Sequence, residues 1–155
     1  MSGTRKSILM LTNTGNDLNK VGDDIKGGSW YGYTDGITTV QVTYQNFTGG
    51  FGIQGTLALN PTDDDWFWIR ISDAFGNCDV YPYITYPRDP LAPTGSNEGT
   101  LNGTQGDTGT DAFTFVGNFT YLRSILTRDY IQPPPTPAYG EVYYLGQIDR
   151  VLLSL

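Results

Sequence analysis

Histidine is missing altogether from this 155-residue sequence, and cysteine occurs once. Without an imidazole there can be no Ser-His-Asp triad, no histidine general base and no histidine-ligated zinc. A single cysteine closes no intrachain disulfide and builds no thiolate cluster. Cys78 follows Gly-Asn beside a predicted strand and has no imidazole to activate it, so it reads as a small, half-buried apolar residue. Basic side chains are also scarce, nine against sixteen acidic ones for a net charge of −7, and they form no cluster. Phosphate neutralisation supplies most of the affinity for nucleic acid, and anionic membranes also need clustered cations. Neither is expected as a partner. Long apolar runs are lacking too. Near the start only Ile8, Leu9, Met10 and Leu11 are consecutive, short of the about 7–15 residues of a signal-peptide core or the about 20 of a spanning helix.

What the chain does have is glycine, 20 residues of it, with aromatics at 14% and charged residues at only 16%. Low charge with many aromatics argues for a packed β protein and against disorder. The length suits one domain able to bury a core without staples. Residues 42–71, VTYQNFTGGFGIQGTLALNPTDDDWFWIRI, read as strand, turn, strand, acidic turn and strand, with the period-two alternation of half-buried strands. Residues 112–128, AFTFVGNFTYLRSILTR, repeat the pattern, with a bulge or corner expected at Gly117-Asn118. Ser7 to Thr12 and residues 141–155 supply apolar strands near the two ends. Residues 37–44 alternate with a slip near residues 38–40. Residues 95–111 read as a long surface loop and residues 131–137, IQPPPTP, as a stiff spacer. Helix is expected only as a turn within residues 16–26. The expected fold is a single all-β domain over residues 1–155, an antiparallel β-sandwich of the jelly-roll type.

With imidazole and thiolate chemistry excluded, only carboxylates remain as candidate reactive groups. Asp63, Asp64 and Asp65 form the one dense acidic run. They are a weak calcium candidate, because such a site needs six to eight oxygens, and they read better as a turn whose carboxylates bond nearby backbone. Asp23-Asp24 is a similar pair. Asp65, Asp79 and Glu141 could in principle flank a glycosidic bond, but none sits in a recognisable motif. No cofactor is expected. Three Asn-X-Thr triplets, at Asn46, Asn102 and Asn118, suit turns better than glycosylation. The strand around Trp66, Phe67 and Trp68 is apolar or aromatic on both faces, so it is either buried on both sides or has one face against a neighbour. Tyr81, Tyr83 and Tyr86, in a Pro-rich excursion over residues 81–93, and Pro133, Pro134 and Pro135 complete the candidate contact residues. The same aromatics, with Trp30, Tyr31 and Tyr33, could instead stack on sugar rings.

The runs VTYQNFTGGFGIQGTLALNPTDDDWFWI (residues 42–69), FTFVGNFTYLRSIL (residues 113–126) and GQIDRVLLSL (residues 146–155) resemble β-rich virion structural proteins of tailed bacteriophages, in particular the contractile-tailed phages of marine cyanobacteria. In that group an aromatic-rich strand leads through Asn-Phe-Thr-Gly to an apolar strand ending in Gly-Thr-Leu. An acidic loop and a Trp-Phe pair follow, and a later Gly-Asn-Phe strand carries Leu-Arg, here Leu122-Arg123. The resemblance implies a non-enzymatic part of a capsid, neck or tail, assembled in the host cytoplasm and present in the virion. Its partners would be further copies of the chain and other virion proteins. A glycan-binding, host-adhesion module on the same fold is the alternative.

Overall fold

The computed structural model describes residues 7–15, 17–71, 82–86, 106–128 and 146–155. These form ten strands: β1 (Ser7–Thr12), β2 (Asn19–Val21), β3 (Ile25–Lys26), β4 (Ile37–Phe47), β5 (Gly49–Thr56), β6 (Phe67–Ile69), β7 (Ile84–Tyr86), β8 (Asp107–Val116), β9 (Tyr121–Thr127) and β10 (Gln147–Ser154). A four-stranded sheet has the order β1-β10-β4-β8. A six-stranded sheet has β2-β9-β5-β6, with β3 also on β9 and β7 also on β5. Every pairing is antiparallel. The two sheets face each other as a β-sandwich.

Period-two alternation decides which side chains enter the core. In β4, Val40, Val42 and Tyr44 point inward, as do Phe113 and Phe115 of β8 and Ile148, Val151 and Leu153 of β10. They meet Phe51 and Ile53 of β5, Leu122 and Leu126 of β9, Ile69 of β6 and Ile84 of β7. Each fully buried side chain of this size contributes about 1.5–3 kcal/mol. One polar contact joins the sheets along their shared edge: the Tyr44 and Tyr86 hydroxyls both donate to Asp111 Oδ2, at 2.9 and 2.8 Å, beneath rings 4.7 Å apart.

Several expectations are corrected. Of the stretch expected to hold a helical turn, the described residues 17–26 form β2 and β3 instead, each paired to β9; a run of alternating polar residues next to a long apolar strand serves as an edge. The surface loop expected over residues 95–111 stops short, because Asp107 to Asp111 belong to β8 and pair with β4. There the inward residues are Gly109 and Asp111, so no apolar alternation marks the strand. Residues 37–44 alternate without a slip, and the register shift falls between Tyr44 and Phe47 instead. Gly117-Asn118 is, as expected, a corner, joining β8 to β9 in the other sheet; Phe119 is therefore buried while Tyr121 faces outward. Asn46 takes the positive φ, 50°, that asparagine tolerates in turns.

Candidate functional site

The outer face of the six-stranded sheet gathers aromatic residues from separate stretches of the sequence, Trp30, the pair Trp66 and Trp68, Tyr83 and Tyr121. Paired residues share a face, so the inward set of Phe51, Ile53, Leu122 and Leu126 fixes the outward one. Outward on β9 are Tyr121, Arg123, Ile125 and Thr127. Opposite them on β5 lie Thr56, Gln54, Gly52 and Gly50. Trp68 of β6 stands across from Gln54, and Tyr83, just before β7, packs on its ring with centroids 5.5 Å apart.

Two glycines let these rings, tilted 50° to each other, lie close on the sheet. A Cβ on Gly52 would lie 2.7 Å from Trp68 Cζ3 and 2.9 Å from Tyr83 Cβ, and one on Gly50 would lie 2.5 Å from the Tyr83 ring. The Trp68 and Tyr83 rings therefore rest on bare backbone. Further along, the Arg123 guanidinium carbon sits 4.2 Å from the Trp66 ring centroid while its Nε donates to Gln54 Oε1 at 2.9 Å. At the corner Trp30 packs on Tyr121, with ring centroids 5.6 Å apart, and Lys26 Nζ lies 4.5 Å from the Trp30 centroid. Cations held this way gain about 0.5–1 kcal/mol at exposed sites.

The end of the sandwich beside Trp30 is the second feature. The loop between β3 and β4, the loop between β5 and β6 and the β8–β9 corner meet there. Gly27 and Ser29 donate to the Thr120 and Phe119 carbonyls, Gly117 to the Gly36 carbonyl, and Thr120 Oγ1 to the Leu57 carbonyl. Eight of the eleven exposed large apolar residues among those described belong to this end, namely Trp30, Tyr31, Tyr33, Ile37, Leu57, Leu59, Phe67 and Val116. Leu57, Leu59 and Val116 are the most exposed, at 67%, 68% and 76%. Leu59, Ser29, Trp30 and Thr120 line a shallow hollow.

Of the contact residues expected from sequence, Trp66, Trp68 and Tyr83 come together on the outer face, half-buried. Tyr86 is corrected: at 1% exposure it belongs to the core, where its ring meets Tyr44 and Phe47, and cannot touch a neighbour. Tyr81 and Pro133, Pro134 and Pro135 lie outside the described residues, as do Cys78, Asp79, Asn102 and Glu141. Asp63, Asp64 and Asp65 form a 3-10 turn in which the Thr62 N–H and hydroxyl both donate to Asp65 Oδ2, at 2.7 and 3.0 Å. Among the described residues no group of histidine, cysteine or carboxylate side chains could hold a metal ion. The run is the turn expected from the sequence, with the Asp65 carboxylate accepting from the Thr62 backbone, and successive residues of a 3-10 turn point about 120° apart. Sequence reading missed Lys26, Gln54, Tyr121 and Arg123, whose only signal was the Gly-Phe-Gly-Ile-Gln-Gly alternation that leaves one side of β5 bare.

No described helix is long and apolar enough to cross a membrane. Comparison of the chain with protein-family models, with curated proteins and with solved structures finds no match.

Proposed function

We propose that the chain is a non-enzymatic structural component of a tailed-phage particle that works by packing against copies of itself and against other virion proteins. The observation that carries this reading is the apolar end. Exposed apolar residues scattered singly need no explanation, but eight gathered at one end of the sandwich, on two loops and the adjoining strand ends, suit burial against a neighbour. The strand order adds support. If β2–β3 and β6–β7 each count as one strand, the ten become eight, running 1-8-3-6 in one sheet and 2-7-4-5 in the other. We read that interleaving as a jelly roll, an architecture used by viral capsid and lectin domains. This is analogy of fold, and fold alone does not set function.

Sedimentation of the purified chain, alone and mixed with other particle components, tests the proposal. Concentration-dependent association is expected, and Leu57→Glu with Leu59→Glu abolishes it while the circular dichroism spectrum stays that of the parent. A parent chain that remains monomeric in both settings would sink the reading.

A further inference from the structure

We infer that the outer face of the six-stranded sheet is a binding site for an acidic, uronate-bearing polysaccharide. This goes beyond assembly, since it uses the sheet face and not the apolar end. Among the described residues the outward positions of this sheet carry Lys26 and Arg123 and no carboxylate, although the chain has sixteen acidic residues against nine basic ones. Arg70 extends the cationic set, exposed between the buried Ile69 and Ile71 where β6 ends. On an acidic protein, a strip whose described outward positions carry cations and no carboxylate is complementary to an anion.

The remaining surface decides which anion. Trp68 lies half-exposed over Gly52, tilted 50° to the Tyr83 ring, giving an aromatic surface on which the C–H face of a pyranose can stack. Arg123 is braced by Trp66 on one side and Gln54 on the other. Among the described residues its two terminal amino groups have no partner, which leaves a planar fork matched to a carboxylate. Stacking surface and carboxylate fork side by side fit a sugar acid. Nucleic acid fits less well, because its affinity grows with the number of phosphates neutralised and this face offers few cations against a net charge of −7.

Calorimetric titration at low salt with a hexamer of galacturonic acid, its fully methyl-esterified counterpart and a thymidine hexanucleotide tests the assignment. The acid hexamer is expected to bind at least tenfold more tightly than either comparison. Arg123→Gln should remove that preference, leaving the ester's affinity unchanged, while Trp68→Ala weakens both sugars. Circular dichroism confirms that each variant is folded. No binding of the acid hexamer at millimolar concentration overturns the proposal. Equal binding of the ester overturns the charge argument, and tighter binding of the oligonucleotide makes the face a nucleic-acid surface instead. Repeating the titration on the Leu57→Glu, Leu59→Glu variant separates this outcome from that of the assembly test.

Discussion

Arg128 shows how much one residue can hold without leaving a trace in the sequence. It is 1% exposed and stacks on Phe47 at 5.3 Å, at the end of the sandwich opposite the apolar one. Its Nε donates to the Thr48 carbonyl at 2.7 Å, Nη1 to that of Asp17 and Nη2 to that of Gly146 at 2.8 Å. One guanidinium thus ties the loop after β1, the turn between β4 and β5 and the approach to β10. Hydrogen bonds to a charged group are worth about 1.5–3 kcal/mol each, and a buried acceptor left without its donor costs about 1–3 kcal/mol. Arg128→Met keeps the apolar stem but removes the donors of these bonds, so a loss of about 3 kcal/mol or more is expected. The urea midpoint should fall with the slope unchanged; a loss below about 1 kcal/mol would mean that the carbonyls find other donors. From sequence alone Arg128 looks like the polar stop after an apolar strand, because its acceptors lie 80, 111 and 18 positions away.

At the scale of the element, β5 is the strand on which both the core and the candidate site depend. Its inward residues are Phe51 and Ile53, and its outward Gly50 and Gly52 are the bed of the aromatic face. Gly52→Ala places a methyl group under the Trp68 indole and the Tyr83 Cβ. Replacing a strand glycine normally gains about 0.5–1 kcal/mol, and here that gain is set against the lost seat of two rings. Overall stability should therefore change by no more than about 1 kcal/mol, while Trp68 moves outward. In a background carrying Trp30→Phe and Trp66→Phe, acrylamide quenching of the remaining tryptophan should rise; unchanged quenching would show that the ring does not rest on this glycine. The alternation of residues 42–71 makes β4, β5 and the strand around Trp68 legible in the sequence. It could not show which tryptophan face meets solvent, since that depends on β7 and β9 and on glycines whose role is to be absent. Where the inward residue is polar, as at Asp111, or the strand is an edge of two or three residues, as in β2 and β3, apolar period is silent and the elements were misread.

The whole molecule is held together by pairings that cross from one half of the chain to the other. The β-sandwich class could be read from composition, but the partner of each strand could not, because alternation is a local property and pairing here is not. Divide the chain within residues 87–105. The four-stranded sheet then draws β1 and β4 from the first part and β10 and β8 from the second, in the order β1-β10-β4-β8. No two strands from the same part are neighbours in it. In the six-stranded sheet β9, from the second part, separates β2 and β3 from β5, and only the short β5–β6 and β5–β7 ladders stay within one part. Among the described residues β8, β9 and β10 pair with no strand of their own part. A lone two- or three-stranded fragment without a facing sheet cannot bury enough apolar surface to offset the entropy of ordering it. Residues 1–95 and residues 96–155, made separately, should each be unfolded by circular dichroism. Mixed in equal amounts they should regain strand structure together, with tryptophan emission shifting to shorter wavelength as Trp66 and Trp68 settle on the face that β9 completes. Loop closure slows such non-local pairing, and in the mixture it becomes a bimolecular step, so the recovery rate should rise with concentration. Folding of either fragment alone would contradict the crossed pairing, and so would recovery at a rate independent of concentration.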